Sequence, residues 1–296
     1  MKEKLAMCMA VLFAVTAISG CVGKREEAGS VILSENITKL TDGLSAVRHS
    51  GDYGFDEFLA QGGASSDAEV VSFLMENGMT GFGNLLFGGN PFGCSTLAVK
   101  DENGNSLFGR NFDWNPCHGM IIQNTPENGY ASISTANMDF ISVSGIRLSS
   151  LPDEIQALAG LYAPLDGVNE MGLAVSVNMI QDSDTIEQDT DKPDITTTTA
   201  VRLLLDRAAT VDEALALLRQ YDMHASANSC YHFQIADAAG RAVVVEYIGD
   251  EMNVVESPRA TNFLLTEGDW DFGRGQDRFA VLEETMEASG GVRVSF

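Results

Sequence analysis

Apolar and polar positions alternate along two groups of segments, and alternation with a period of two predicts β-strands. The first group covers residues 95–100, 106–113, 120–124, 130–137 and 173–179, and the second covers 230–236, 241–247, 253–256 and 261–265. Apolar residues at helical spacing predict helices over residues 197–209, 212–221 and 276–287. Two clusters of strands with helices between and around them predict an α+β layered domain rather than a parallel doubly wound sheet.

The segment ahead of these strands has a different pattern. Ile37, Leu40, Leu44 and Val47 recur at helical spacing, and a second apolar stretch at residues 70–74 follows a serine that can cap a helix. The sequence therefore predicts a leader of two helices. Residues 78–93 then contain six glycines, a composition that breaks regular structure. We expect residues 21–93 to form a tether, the helical leader and a flexible linker, and residues 94–296 to form the main domain.

The first 20 residues have the pattern of an export signal. Lys2 and Lys4 precede an apolar or small run over residues 5–18, which is shorter than the roughly 20 residues that span a bilayer as a helix. The run ends in ISGC at residues 18–21, which resembles the lipobox of bacterial lipoproteins. We predict that residues 1–20 are removed, that Cys21 carries a lipid, and that the mature chain is anchored to the bacterial cell envelope. The alternative is a cysteine that simply follows a signal peptide.

Composition and charge narrow the range of partners. The 296 residues are 45% hydrophobic and 20% charged, which is ordinary for a folded domain. Eighteen Lys and Arg residues against 42 Asp and Glu residues give a net charge of -24. Such a charge repels phosphate backbones and anionic membrane surfaces, so nucleic acid is not an expected partner.

The five cysteines divide into separate roles. Removing Cys8 with the signal and using Cys21 for the lipid leaves Cys94, Cys117 and Cys230, an odd number. At least one thiol then stays unpaired, and a disulfide between the last two is left open. The histidines are not spaced as metal ligands, so we expect no metal site and no cofactor.

A predicted hairpin begins at Cys94. The Asn-Gly pair at residues 103–104 lies between two alternating segments, which is a strong signal for a two-residue turn. In that register Cys94 lies opposite Asp113, so a thiol and a carboxylate meet at one end of the sheet. Arg110 then lies opposite Leu97 and points to the other face, unless a bulge redirects it.

Five short motifs occur around and after Cys94. They are GCST at residues 93–96, FGRNFD at 108–113, NEMGL at 169–173 leading to Asn178, TNF at 261–263 and DRF at 277–279. Together they resemble the linear amide carbon–nitrogen hydrolases, the choloylglycine hydrolase and acid ceramidase group of the N-terminal nucleophile hydrolases. The resemblance implies a four-layer αββα sandwich of two antiparallel sheets. It also implies further strands after the helix that carries Arg278, so we expect a C-terminally truncated form of that fold.

The resemblance implies that a cysteine becomes the chain's N-terminus and acts as nucleophile. It therefore assigns catalysis to Cys94, after the Cys94 sulfur has attacked the Gly93 carbonyl and the chain has been cut between these two residues. The freed α-amine, with an ordinary pKa near 8, can accept the thiol proton. Glycine at position 93 suits such an attack because its backbone is unrestrained by a side chain.

The resemblance assigns five further site residues, which are Arg110, Asp113, Asn178, Asn262 and Arg278. Asp113 would hold the freed amine, and Arg110 would favour the thiolate and orient the substrate. Asn262 would donate its side-chain amide to the oxyanion, with Asn178 lining the same hole. Arg278 would complete the polar network, with Arg274 left as an alternative.

The expected activity is hydrolysis of a linear N-acyl amide through a Cys94 thioester, with a small amphiphilic substrate. Conjugated bile acids, N-acyl ethanolamides, N-acyl amino acids and penicillin-type side-chain amides are equal candidates. Two other functions stay open. One is an acyltransferase that passes the acyl group of the same thioester to an amine, and the other is a non-catalytic lipoprotein that binds an amphiphile.

Overall fold

Strands dominate the part of the chain that the structure describes. This structure is a computed structural model, and it describes residues 35–77, 85–86, 93–115, 117–140, 142–143, 146–148 and 151–289. The strands are β1 (Thr38–Thr41), β2 (Leu44–Gly51), β3 (Leu85–Leu86), β4 (Cys94–Lys100), β5 (Ser106–Phe112), β6 (Gly119–Pro126), β7 (Ser132–Asn137), β8 (Ser142–Val143), β9 (Ile146–Arg147), β10 (Asp166–Asn169), β11 (Ala174–Ile180), β12 (Asp194–Thr196), β13 (Asp222–His224), β14 (Cys230–Ala236), β15 (Ala242–Ile248), β16 (Glu251–Glu256) and β17 (Arg259–Ala260). The helices are α1 (Phe55–Ala60), α2 (Asp67–Glu76), α3 (Asp153–Tyr162), α4 (Thr197–Arg207), α5 (Val211–Leu218) and α6 (Gln276–Ala288).

Two sheets face each other and form the middle of the fold. The large sheet has nine strands in the order β1-β2-β6-β7-β10-β11-β14-β15-β16, and the small sheet has three in the order β17-β4-β5. Helices α3, α4 and α5 pack on the large sheet, β4 lies against β11, and α6 packs on β4 and β17. The predicted α+β fold with four αββα layers is confirmed. One detail differs, because β2 and β6 are parallel while the other neighbours in both sheets are antiparallel.

The face of the large sheet that meets the small sheet is polar. Gly167 on β10 lies so close to α4 that an added Cβ would be 2.7 Å from the Leu205 side chain. Side chains on the same side of the sheet as this Cβ therefore face the helices. Asn178 on β11 and Gln234 on β14 point to the opposite face of the sheet, and both are fully buried. The Thr96 hydroxyl of β4 donates to Gln234 and accepts a hydrogen bond of 3.1 Å from the Asn178 amide. Hydrogen-bonding side chains are therefore concentrated between the two sheets.

The first predicted helix of the leader is wrong. β1 and β2 form an antiparallel pair around Gly43, whose φ is 81°, and β2 pairs with β6 along its whole length. Ala46 and Val47 are buried by this pairing. Adding two strands to the edge of a sheet outweighs the helical spacing of the apolar residues. The second predicted helix is confirmed as α2, where the Ser66 side chain accepts a hydrogen bond from the Glu69 backbone.

Residues on both sides of the predicted boundary at position 93 share one core. Tyr53, Phe55, Phe58 and Phe73 surround Tyr162 of α3, with neighbouring ring centroids 5.3–6.2 Å apart. Aromatic groups of this size contribute a large buried apolar area, in addition to about 0.5–1.5 kcal/mol per ring pair. The segment that precedes Cys94 is thus packed into the domain that follows it.

A buried ion pair within α4 also contacts this segment, through Tyr53. Arg202 is fully buried and donates to Asp206 at 3.2 Å and to the hydroxyls of Ser132 and Ser134. Asp206 accepts a hydrogen bond from the Tyr53 hydroxyl. Burial raises the pKa of Asp206, and the attraction of Arg202 offsets only part of this effect. The pair lies on the helix side of the large sheet, since Ser134 pairs with Gly167.

Most other predicted elements are confirmed within a few residues. β14 occupies the predicted range, and α4, α5 and α6 lie within theirs or extend them by one residue. The strand predicted over residues 261–265 is wrong, because the chain pairs with β4 two residues earlier, at β17. Within the described ranges, no helix is long and apolar enough to cross a membrane. The predicted export signal, Cys21, and residues 78–84 and 87–92 of the predicted linker lie outside those ranges.

Candidate active site

Cys94 stands at the start of β4, in the layer between the two sheets. Its side chain is buried and lines a cavity, and its backbone N–H donates to Asn262 Oδ1 at 2.7 Å. Cys94, Cys117 and Cys230 are all free thiols, so the disulfide left open by the sequence does not form. Of the three, Cys117 is exposed, and burial raises the pKa of Cys230 to about 11.

The hairpin that carries Cys94 differs from the predicted one by one residue. Asp101 N–H donates to Asn105 O, Gly104 N–H donates to Asp101 O, and Gly104 has a φ of 85°. These contacts define a three-residue loop over residues 102–104 instead of a two-residue turn. The Asp101 carboxylate stabilises this loop by accepting the backbone N–H groups of Asn103 and Asn105 at 2.8 Å.

The corrected register places Arg110 beside the nucleophile. Cys94 pairs with Phe112 and Thr96 pairs with Arg110, so the thiol and the guanidinium share one face of the small sheet without a bulge. The predictions that Cys94 lies opposite Asp113 and that Arg110 faces away are wrong. An odd loop length changes the parity of one strand relative to the other, which moves every side chain of that strand to the opposite face.

Arg110 is held in place by three contacts. It donates to Asp166 at 2.6 Å, to the Val177 carbonyl at 2.7 Å and to the Cys94 sulfur at 3.8 Å. Burial lowers the pKa of the guanidinium, but the Asp166 carboxylate and the Cys94 sulfur outweigh burial and raise it above its ordinary value. Asp166 and the Val177 carbonyl thus hold the guanidinium charge next to the Cys94 sulfur.

Asn262 and Arg278 bracket the Gly93–Cys94 peptide from the other side. Asn262 Oδ1 accepts from Cys94 N–H and from Arg278 Nη2, each at 2.7 Å, while its amide donates to the Met179 carbonyl at 2.7 Å. Arg278 also donates to the Cys94 carbonyl and, at 2.9 Å, to the Ser95 hydroxyl. Asn262 and Arg278 are thus brought together at Cys94.

Two glycines leave the space that Arg278 occupies. An added Cβ at Gly93 would lie 3.0 Å from the guanidinium carbon of Arg278, and one at Gly275 would lie 2.5 Å from its Nη2. Gly275 also has a φ of 92°, which disfavours a side chain there. The competing Arg274 is exposed and pairs with Asp182, so Arg278 is the arginine at the nucleophile.

Two of the residues implied by the resemblance have less direct positions. Asp113 has an exposed side chain that accepts from the Asn111 amide at 2.8 Å, and only its backbone N–H, which donates to Gly93 O at 2.8 Å, reaches the site. Asn178 is fully buried and donates to Thr96, which lies on the same strand face as Cys94. Its Oδ1 has no hydrogen-bond partner among the described residues.

A largely apolar cavity of about 240 Å³ opens beside Cys94 and Arg110. Its apolar wall consists of Phe112, Trp114, Phe140, Leu165, Val177 and Met179. Phe112 stacks on Trp114, and Trp114 meets Phe140 edge to face with centroids 4.6 Å apart. Thr197, Thr198 and Tyr231 contribute to the remaining wall. The cavity can hold an apolar group whose polar end lies against the thiol and the guanidinium.

A buried pair of a histidine and a glutamate behind Asn262 was not identified from the sequence. His232 on β14 and Glu246 on β15 are register partners, and neither side chain is exposed. Burial raises the pKa of Glu246, but the hydrogen bond and the charge of His232 and the N–H groups of Leu265 and Thr266 outweigh burial and lower it. The alternation of polar and apolar residues along β14 is a signal for one polar face, but only the strand pairing shows that these two side chains meet.

Comparison with known proteins identifies the family of this chain. A family model described as linear amide C–N hydrolases, choloylglycine hydrolase family, matches residues 94–272, which is more than half of the chain. The chain belongs to this family. In this choloylglycine hydrolase family member, the region that matches the family model begins at Cys94, the predicted nucleophile.

Three solved structures are similar to this family member at low sequence identity. Penicillin V acylase from Agrobacterium tumefaciens aligns over 67% of this chain and 58% of its own, with 20% identity and a TM-score of 0.43. Two variants of the conjugated bile acid hydrolase from Clostridium perfringens align over 65% of this chain and 57% of their own, with 19% identity and a TM-score of 0.41. The chain spans less than two thirds of the length of these proteins. No match is found among the curated proteins.

Among the residues that the structure describes, no group of three or more His, Cys, Asp or Glu side chains is arranged to hold a metal ion.

Proposed function

We propose that the chain hydrolyses linear N-acyl amides with Cys94 as the nucleophile, after cutting itself between Gly93 and Cys94. The observation that carries this proposal is the position of the Cys94 thiol. It lies 3.8 Å from Arg110 at an apolar cavity, while the N–H of the same residue is held by Asn262 at 2.7 Å. One residue therefore combines a nucleophile, a neighbouring positive charge and a fixed nitrogen that can become the base.

Self-cleavage is supported by the contacts of the Gly93–Cys94 peptide. The Cys94 sulfur attacks the Gly93 carbonyl carbon, the C–N bond breaks, and the thiol proton passes to the departing nitrogen. The Asp113 N–H, which is 2.8 Å from Gly93 O, stabilises the negative oxygen that forms during the attack. Water then hydrolyses the thioester and releases the Gly93 carboxylate and the thiol.

Turnover of a substrate uses the same groups. The free α-amine of Cys94 accepts the thiol proton, the sulfur attacks the substrate carbonyl, and the α-ammonium returns the proton to the departing amine. Water then hydrolyses the acyl thioester. The Asn262 amide has two N–H bonds and uses one for the Met179 carbonyl, so the second can donate to the oxyanion. Asn178 would line the same oxyanion hole, and its amide donates to the Thr96 hydroxyl on the face of β4 that carries Cys94.

Asp113 keeps its proposed role as the partner of the freed amine. Its backbone contacts the scissile carbonyl, so its carboxylate is attached next to the place where cleavage frees the nitrogen. That carboxylate must leave the Asn111 amide and turn inward after cleavage. This rearrangement involves an exposed side chain and one hydrogen bond, which costs about 1 kcal/mol.

The proposed activity is tested by product analysis with the purified chain. The substrates are one conjugated bile acid, one N-acyl ethanolamide, one N-acyl amino acid and one penicillin, each with and without an added amine acceptor. We expect release of a free acid and an amine from at least one of them, without a requirement for the acceptor. Acyl transfer that depends on the acceptor would indicate the acyltransferase, and binding without any product would indicate the amphiphile-binding lipoprotein.

We infer further that the chain is exported and held at a membrane by a lipid on Cys21. The support is the apolar run and the ISGC sequence at residues 18–21. Because β2 belongs to the large sheet and the aromatic residues around Tyr162 span both fragments, the N-terminal fragment should stay bound after cleavage. We expect both fragments to sediment together with membranes, and Cys21→Ala to move both into the soluble fraction.

Cys8→Ala is the matched control for this prediction, because Cys8 lies inside the predicted signal. Its sedimentation should equal that of the wild type. The proposal of a bound N-terminal fragment is contradicted if the fragment that begins with Cys94 is soluble while the N-terminal fragment stays with the membrane.

A further inference from the structure

A buried acid and a buried imidazole meet between the two sheets. The segment at residues 261–266 connects them to the proposed nucleophile, Cys94. His232 and Glu246 both have fully buried side chains and lie opposite each other on β14 and β15. His232 is also the register partner of Asn178 on β11, so it belongs to the face that meets the small sheet. Removing two ionisable groups from water is energetically unfavourable, so their contacts must offset this cost.

The contacts define where the protons of this pair lie. His232 Nε2 is 3.0 Å from the Thr261 carbonyl, which can only accept, so this nitrogen carries a proton. His232 Nδ1 is 3.1 Å from Glu246 Oε1. The same carboxylate accepts the N–H of Leu265 at 2.7 Å and the N–H of Thr266 at 2.8 Å. The two backbone donors stabilise this carboxylate as an anion, and an anionic Oε1 can only accept from Nδ1, so Nδ1 donates as well.

All of these contacts end on one stretch of backbone. The pair binds the carbonyl of Thr261 and the N–H groups of Leu265 and Thr266, which lie on either side of Asn262 and its neighbours. This stretch does not form the predicted strand: the Asn262 backbone exchanges two hydrogen bonds with Arg274 in an isolated bridge, and His232 and Glu246 bind the backbone on either side of that bridge. Asn262 in turn holds the Cys94 N–H and Arg278.

We propose that His232 and Glu246 form a buried imidazolium–carboxylate pair that positions Asn262 for catalysis. This inference rests on the proposed function, because it assigns the two residues to the reaction at Cys94. They are positioning residues, since neither touches the sulfur or the cavity. A shift of the Asn262 amide by about 1 Å would cost on the order of 100-fold in rate while leaving the apolar cavity able to bind substrate.

The test compares Glu246→Gln with Asp206→Asn. Each change replaces a buried carboxylate by an amide of the same size and breaks a buried ion pair, but Asp206 lies on the helix side of the large sheet. We expect Glu246→Gln to lower kcat by about 100-fold with KM unchanged, and to slow the cut between Gly93 and Cys94. Both variants should lower the Tm by similar amounts, because each breaks a buried ion pair, but Asp206→Asn should leave kcat unchanged. An equal loss of kcat in both variants, or wild-type kcat in Glu246→Gln, overturns the proposal.

A second measurement does not depend on catalysis. Nitrogen-15 NMR of the histidine rings in the full chain, assigned with His232→Gln, should show protons on both ring nitrogens of His232 at pH 7. In Glu246→Gln one of the two protons should be lost. A neutral His232 ring in the wild type overturns the charged pair. If the wild type hydrolyses no amide but shows the doubly protonated ring, the proposed function fails while the charged pair stands.

Discussion

Replacing Cys94 with alanine is expected to leave a single uncut chain and to abolish amide hydrolysis. The sulfur is the atom that attacks both the Gly93 carbonyl and the substrate, and the α-amine that serves as base is never freed in this variant. Loss of a covalent nucleophile typically lowers kcat by about a million-fold. Intact-mass measurement of the wild type should give two fragments that meet at Gly93 and Cys94, and amine release from the N-acyl amide panel reports turnover.

Cys117→Ala is the matched control, because Cys117 is the exposed free thiol and is absent from the residues that line the cavity. This variant should be cut and should turn over substrate like the wild type. The assignment of the nucleophile fails if Cys94→Ala is still cut at the same peptide. It also fails if the uncut Cys94→Ala chain retains the hydrolysis rate of the wild type.

Replacing Asn262 with alanine should have the next largest effect. The change removes the amide that is proposed to donate to the oxyanion, and it also removes the acceptor of Cys94 N–H and of Arg278. Loss of one oxyanion donor costs about 100- to 1000-fold in kcat. KM should change much less, because the apolar walls of the cavity are untouched. Steady-state kinetics on the best N-acyl amide measures both constants.

Asn169→Ala separates this catalytic loss from a general loss of stability. Asn169 is buried; its amide donates to the Leu205 and Ala208 carbonyls, and its Oδ1 accepts from the N–H groups of Met171 and Leu173. Its truncation leaves buried polar groups unpaired, which costs about 1–3 kcal/mol for each group. We expect a lower Tm and an unchanged kcat. The oxyanion role of Asn262 is refuted if the two variants lose kcat equally.

The hairpin at Cys94 illustrates how far local sequence signals reach. The two strands and the position of the turn follow from the alternation and from the Asn-Gly pair, and both are confirmed. The register was missed by one residue, because the Asp101 carboxylate binds the backbone of Asn103 and Asn105 and stabilises a three-residue loop. One residue decides whether Arg110 faces Cys94, so a local propensity was too coarse to place the site.

The N-terminal segment shows the opposite limit. Leu44 and Val47 stand at helical spacing, yet β2 is a strand because an edge of the large sheet is available at β6. A sheet edge is a property of the folded domain and has no signature within residues 38–51. The Ser66 cap and α2 were predictable, since a helix cap depends on groups three residues apart.

By itself, the sequence determined the layered α+β class, most strands and helices, and the motifs around Cys94, Arg110, Asn262 and Arg278. These features depend on periodicity and on short spacings, which are local. Only the tertiary structure decided that Arg110 shares a face with the thiol, that Asp113 reaches the site through its backbone, and that His232 and Glu246 lie behind Asn262. Those contacts join strands that are far apart in the chain, so they follow from sheet register and layer packing, which no single segment encodes.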